Sequence, residues 1–416
     1  MVKPYQRVQL FSGGGSRFGY YLGSYAALCE MGLKPDLILA TCGGSLAALL
    51  VDIAPDPLSL KSLIQSRELY QVICASQPRE RLPLCQPKPT LSLSNFSYFT
   101  HALKRFYLSK QPSKLNKRHV DETYDDLLAE LSKLAMFEID NESTWLTALI
   151  RLKPTESKEL ATLPSMPVTP SEDANTDINK DTATDTTQNT APHIAIIASR
   201  LLADIDSSAQ TNPPKAKLQE VLFAPSLLAQ HSTLMTALQC PTHQYAPHRI
   251  KADIHAVYHW DIQQAVRASM ADMYYLTPTF IEDIGWCLGG VIDLTPIEMA
   301  CQLGATVFAE TKADYDKWLA VPAIKRVFAF DAKRRLQGIQ QCYSNLSSDK
   351  TQIHWLPFAD NGPALAGQYV SKRINWLAGR IEPVHPNYNE FVQQMQAQWY
   401  YGYDKTMQYI QQNNTP

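Results

Sequence analysis

Apolar residues first cluster at Val8 to Phe11, and the glycines Gly13 to Gly15 follow them directly. Beyond the turn the spacing of apolar positions predicts an amphipathic helix that ends at Gly32. The unit then repeats. "PDLILATC" reads as a buried strand, Gly43 and Gly44 as a second sharp turn, and "SLAALLVDIA" as a second helix. Strand, glycine turn and helix in succession predict a right-handed parallel α/β sheet. In such sheets functional groups gather at the carboxyl ends of the strands, where both glycine turns fall.

Residues 58–152 read as mostly helical and moderately polar, with aromatic patches such as "NFSYFTHALKRFYL". Their apolar spacing predicts packing against the sheet, and a lipid-facing cap is the alternative. Residues 154–192 are rich in Thr, Asp, Asn and Pro and lack periodicity, the composition of a disordered insert. Strand patterns return at "HIAIIASRLLAD" and "EVLFAP", followed by a helix around "DIQQAVRASMADMYY", a hairpin in "FIEDIGWCLGGVIDLTP" and a helix and strand in "IEMACQLGATVFAE". From about Ala313 onward the pattern is mainly helical. The expected organisation is one α/β domain over residues 1–312, carrying the insert, with a helical region 313–416 packed on it.

A hydrophobic content of 45%, 19% charged residues and a net charge of −2 over 416 residues describe a soluble enzyme with a sizeable core. No basic patch suited to nucleic acid stands out, so nucleic acid is excluded as a partner. The eight cysteines form no CxxC pair and no Cys/His cluster at zinc spacing. We therefore expect free thiols in a cytoplasmic setting, with no metal and no cofactor. The N-terminus reaches glycine-rich sequence before a signal-peptide core forms. The longest uncharged run, between Asp36 and Asp52, is shorter than the about 20 residues of a bilayer span.

Three glycines after a strand let successive amides converge at the start of the next helix, a nest that stabilises a negative oxygen, with Arg17 as a brace. A tight turn without a ligand is the plain alternative. The segment is not a Walker loop, and Phe18 stands where a dinucleotide motif needs glycine, which leaves nucleotide binding a minor reading. The second turn has the small neighbours that a nucleophile elbow requires, in two registers. Cys42 lies between Ala40 and Gly44, and Ser45 between Gly43 and Ala47. Either residue also has a structural role open to it, because free cysteines are commonly buried and serines near helix starts commonly cap.

Taken together, "SGGGSRFGYYLGSYAALCEMGLKPDLILATCGGSLAAL", "AVRASMADMYYLTPTF" and "LGGVIDLTPIEMACQLGA" resemble the patatin-like phospholipases. That family carries an oxyanion turn G-G-G-x-R/K-G, an elbow G-x-S-x-G and a later D-G-G/A whose aspartate pairs with the serine. The resemblance implies a three-layer fold with a mainly parallel sheet. It also implies hydrolysis of lipid or other acyl esters with peripheral membrane contact, and an oxyanion hole at Gly13, Gly14, Gly15 and Arg17. Family members place the elbow residue seven positions after a proline, which selects Cys42 from Pro35 and leaves Ser45 as the second candidate. Leu288, in Leu288-Gly289-Gly290, occupies the aspartate position.

A serine facing leucine would be nearly inert, whereas a thiol ionises more readily, and a helix N-terminus is expected to lower its pKa further. Hydrolysis of the acyl-thioester still needs a base, for which Asp293, Asp283 and Glu282 are the nearest acids in sequence. His255 and His259 are four apart and would share a helix face, without the glutamate of a metalloprotease motif. His193 and His385 have no assigned place. Two functions follow: an acyl hydrolase or acyltransferase using Cys42, or a catalytically inactive relative that binds lipid or a protein partner.

Overall fold

The computed structural model describes residues 3–78, 128, 131, 135–139, 141–152, 191–202, 217–272, 275–312, 315, 320–343, 347–348, 351–375 and 380–413. The expected disordered insert at 154–192 and the aromatic patch at 95–108 lie outside the described residues, except for positions 191 and 192.

The central sheet grows from strands β1 (Tyr5–Phe11), β2 (Leu37–Thr41), β3 (His193–Leu201), β4 (Leu218–Phe223) and β5 (His255–Val257). A short hairpin follows, β6 (Thr279–Ile281) and β7 (Gly285–Cys287), then β8 (Gly304–Glu310) and β9 (Thr351–Leu356). Neighbours run β9-β8-β1-β2-β3-β4-β5. All contacts from β9 through β3 are parallel, β3 and β4 are antiparallel, and the hairpin joins β3 through Arg200 and Cys287. The result is a mixed, mostly parallel sheet flanked by helices, the architecture that the resemblance implies. Register places Phe11 beside Ala40 and Thr41 beside Ile197, so β1 and β2 end together at one rim, while β3 runs on to Leu201.

Every residue of β2 is buried, because helices cover both faces. Its alternating side chains serve two cores: Ile38 and Ala40 face one, Leu37 and Leu39 the other. The first core is closed by helices α1 (Gly19–Glu30) and α2 (Gly43–Ile53). Helix α3 (Ile262–Met270) adds Ala265, Val266 and Ala268 to that first core, and the second is closed mainly by α4 (Ile297–Leu303) and the helix Ala320–Phe328. Helix α5 (Tyr388–Gln412) begins at a capping box, in which Asn387 accepts from the Glu390 amide and Glu390 accepts from the Asn387 amide. It packs Phe391, Met395 and Trp399 into the first core. The region after Ala313 is therefore not helical alone. It supplies β9 to the main sheet, because β8 leaves an unpaired parallel neighbour position that "TQIHWL" fills.

Two readings change with the coordinates. The helix around 261–275 stops at Met270, and Asp261 caps its start by accepting from the Gln264 amide at 3.0 Å. His255 and His259 share no helix, since His255 lies in β5 and His259 in the bend after it.

One acid is stranded in the sheet. Glu220 in β4 is fully buried, and among the described residues its carboxyl oxygens lack a partner beyond the weak Cys240 thiol beside it. Burial, aided by the charge of Asp293, pushes its pKa well above the carboxylate range. Folded protein therefore keeps a proton that unfolded chain has lost, and stability falls as pH rises through neutrality. Glu220→Gln is expected to be nearly neutral in mild acid and stabilising in alkaline buffer, read from thermal midpoints across pH. Equal midpoints for the two proteins at every pH would refute this.

Candidate active site

Thr41 ends β2, Gly43 begins α2, and Cys42 between them stands at φ 51°, ψ −126°. A non-glycine residue held there stores strain of about 1–3 kcal/mol, which the surroundings must impose. Hydrogen bonds do so from three sides. The Cys42 amide donates to Ser269 Oγ at 2.8 Å, Ser269 Oγ donates to the Ile197 carbonyl at 2.6 Å, and Thr41 Oγ1 donates to the Gly290 carbonyl at 2.7 Å. Close backbone approach demands small residues here. A Cβ on Gly44 would lie 1.9 Å from the Phe11 carbonyl oxygen, and one on Gly290 would lie 2.0 Å from Thr41 Oγ1.

Cys42 is thus the apex of the turn. Ser45 is fully buried in the first turn of α2, where its Oγ donates to the Cys42 carbonyl at 2.6 Å. Its hydroxyl closes the helix start and points back along the chain. The Gly13–Gly15 turn lies against the elbow: a Cβ on Gly13 would stand 3.5 Å from Cys42 Cβ, and one on Gly43 would stand 2.8 Å from the Gly15 amide nitrogen. Gly15 takes φ 58°, a left-handed conformation. The Gly13 amide points at the Leu294 carbonyl, 3.5 Å away, which leaves Gly14 and Gly15 as the amides of the nest not committed to it. Arg17 turns away from the elbow, and its guanidinium sits 5.5 Å from the centre of the Tyr369 ring.

A carboxylate that the sequence reading did not select faces the sulfur. Where α3 stops, the chain bends so that the Asp272 amide donates to the Met270 carbonyl at 2.7 Å. Asp272 Oδ2 then lies 3.9 Å from Cys42 Sγ, and Oδ1 accepts from the Tyr275 amide at 2.9 Å. Leu288 is fully buried in the second core, its amide donating to the Ser199 carbonyl at 2.9 Å. The adjacent Gly289, at φ 83°, presses on the Asp272 turn, so that a Cβ there would meet the Asp272 nitrogen at 2.8 Å. The loop bearing Leu288 and the turn bearing Asp272 are therefore spatial neighbours. Two features of the sequence point to Asp272: it is the one acid in "RASMADMYYL", and it lies inside a block that resembles the family.

The other acids are committed elsewhere. Asp293 forms a buried ion pair with Arg335 at 3.0 Å, and Glu282 and Asp283 occupy the tip of the β6–β7 hairpin. His193 meets the Tyr5 hydroxyl at 3.0 Å and His385 the Ser76 carbonyl at 2.9 Å, both away from the elbow. Among the described residues no group of three acids, histidines or cysteines has the geometry for a metal ion.

Electrostatics correct one expectation. Burial pushes the Cys42 thiol far above its ordinary range, and the neighbouring Asp272 charge pushes the same way. The Gly43 amide at the start of α2 and the Lys312 ammonium pull it down, but they are outweighed. Asp272 is itself pushed up by burial to about 7, against the Tyr275 and Leu276 amides, the Lys372 charge and the Cys42 thiol, which favour its ionised form. At neutral pH the pair is a thiol beside a carboxyl group near its midpoint.

Two clefts, of about 620 and 560 Å³, lie elsewhere. The first is lined by Asp52, His193 and Asp261, and the second by Glu30, Asp56 and Trp399. Glu30, Asp52 and His193 mark the ends of α1 and α2 and the start of β3, the rim opposite Cys42. Among the described residues no helix is long and apolar enough to cross a membrane.

A family model described as Patatin-like phospholipase matches residues 10–301. No curated protein matches the chain. Among solved structures the chain is similar to VipD from Legionella pneumophila. The two are 12% identical over an alignment covering 99% of this chain and 67% of that one, with a TM-score of 0.32, too loose a likeness to carry an argument.

Proposed function

This chain belongs to the patatin-like phospholipase family, and on that premise we propose that it cleaves acyl esters of lipids, with Cys42 as nucleophile and Asp272 as its acid and base. One observation carries the reading: the apical sulfur, in a strained left-handed conformation, faces a buried carboxyl group at 3.9 Å.

The thiol proton passes to Asp272 as sulfur attacks the ester carbonyl, because a free thiolate is too costly in so dry a site. Charge develops on the carbonyl oxygen beside the amides of Gly14 and Gly15. Asp272, now protonated, returns the proton to the departing alcohol and leaves an acyl-thioester on Cys42. Water then loses a proton to Asp272 and attacks that thioester, freeing the fatty acid. The thiol is restored by the same proton. A carboxyl group with a pKa near 7 suits both directions of transfer.

The second reading, an inactive relative that binds lipid or protein, draws on a different observation. Cys42 is only 9% exposed. Turnover of a short-chain aryl ester and an acyl thioester by the native protein, Cys42→Ala and Ser45→Ala separates the two. Loss of turnover in Cys42→Ala, with no more than about fivefold change in Ser45→Ala, is the expected result, since the Ser45 hydroxyl makes one hydrogen bond of about 1 kcal/mol. Activity abolished by Ser45→Ala alone would reverse the assignment. A protein that retains fatty acid yet turns over neither substrate is a binder.

A further inference from the structure

Beneath the glycine turn lies a buried polar network. Glu310, the last residue of β8, is 1% exposed and accepts hydrogen bonds from the Tyr20 hydroxyl at 2.7 Å and the Tyr21 hydroxyl at 2.5 Å. Lys312, two residues on and 7% exposed, forms an ion pair with Glu310, and its backbone amide donates to the Tyr343 hydroxyl at 2.6 Å. The same ammonium donates to the Gly13 carbonyl at 2.8 Å. Glu310 and Lys312 fall outside the stretch that matches the family.

In a trans peptide the carbonyl and the following N–H point in opposite directions. Lys312 holds the Gly13 carbonyl on its own side, so the Gly14 amide must point the other way. Gly13 packs against Cys42. A Gly–Gly peptide turns over readily, since neither residue has a Cβ to resist it. Turned over, this one would aim a carbonyl oxygen where an amide is needed. Resting on the acyl-transfer reading of Cys42, we infer that Lys312 is a positioning residue, fixing the Gly13–Gly14 peptide so that its amide serves the oxyanion and placing a positive charge beside the elbow. Its charge is one of two influences that favour the Cys42 thiolate, the Gly43 amide being the other, while Asp272 opposes it. Glu310, itself anchored by Tyr20 and Tyr21, holds the ammonium in place, Tyr343 holds the Lys312 backbone, and α5 steadies the rest of the turn. Gln398 accepts from the Gly19 amide at 2.9 Å and donates to the Ser16 carbonyl at 3.2 Å.

Neutralising Glu310 is the competing role for Lys312, and the variants separate the two. Lys312→Met leaves a buried unpaired acid, whereas Lys312→Met with Glu310→Gln leaves none and is expected to fold. In the folded double variant, kcat for the aryl ester should fall about 100-fold with KM little changed, as for loss of one oxyanion donor. Alkylation of Cys42 by iodoacetamide, followed on the Cys42 peptide by mass spectrometry, should shift to higher pH. Lys312→Arg, which keeps the charge and the donor, should recover most of both. Native kcat and an unmoved alkylation profile in the double variant would overturn the inference, leaving charge neutralisation as the role of Lys312. The alkylation readout needs no turnover. A shifted profile in a protein inactive on esters would keep the Lys312–Cys42 coupling and remove the hydrolase reading. A native Cys42 that iodoacetamide never reaches would remove both.

Discussion

Asp272→Asn is expected to lower acyl-ester turnover by about 10²–10⁴-fold, the range for loss of a positioned acid or base, while making the protein more stable above neutral pH. Both effects come from one cause. Burial raises the Asp272 pKa from 3.8 to about 7. Between those values the unfolded chain has released the proton and the folded protein has not, so native stability falls as pH climbs through this window and stays low above it. At 1.36 kcal/mol for each pH unit, the rise amounts to at most about 4 kcal/mol. Asparagine can still accept from the Tyr275 amide but never ionises, so the variant escapes this cost. On the proposed mechanism, kcat/KM of the native protein should climb with pH to a plateau just above pH 7, reporting the base form of Asp272. Turnover and thermal midpoints from about pH 5 to 9 test both. A variant that turns over at the native rate would remove Asp272 from the mechanism, and one destabilised at alkaline pH would mean the carboxylate is ionised and well paired in the fold.

Gly402→Val should be severely destabilising although it lies in a helix far along the chain from the elbow. Helices α1 and α5 cross at backbone contact. A Cβ on Gly402 would lie 1.9 Å from the Tyr20 carbonyl oxygen, and one on the facing Gly23 would lie 1.9 Å from that of Trp399. Neither contact is the movable tip of a side chain, so relief requires the helices to part and open the packing of Trp399 and Phe391 in the first core. Overpacking of this kind costs about 3 kcal/mol, and in a chain of this size that lowers the thermal midpoint by about 3–4 °C. Because α1 also carries Tyr20 and Tyr21 to Glu310, a folded remnant of Gly402→Val should show slower Cys42 chemistry as well. Native stability in this variant would mean that α5 docks loosely.

What the sequence determined by itself was local. Two strand, glycine turn and helix units are written in the spacing of apolar residues and in the glycines, since a sharp turn pressed between backbones tolerates little else. Those residues were enough to place an elbow at 42–45 and an amide nest at 13–15 at the same rim. Small neighbours surround both Cys42 and Ser45, so local pattern left both open; the resemblance favoured Cys42 by its distance from Pro35, and the backbone dihedrals put Cys42 at the apex and Ser45 in the first helical turn. Asp272 needed more than that. It lies 230 positions from Cys42, and it reaches the sulfur because α3 stops at Met270 and because Gly289, beside the buried Leu288, lets the two turns touch. The thiol's electrostatics were likewise decided in three dimensions. A cysteine at a helix start reads as activated, but burial in the second core, with the Asp272 charge, outweighs one amide and one lysine, and no local pattern records how much protein closes over a side chain.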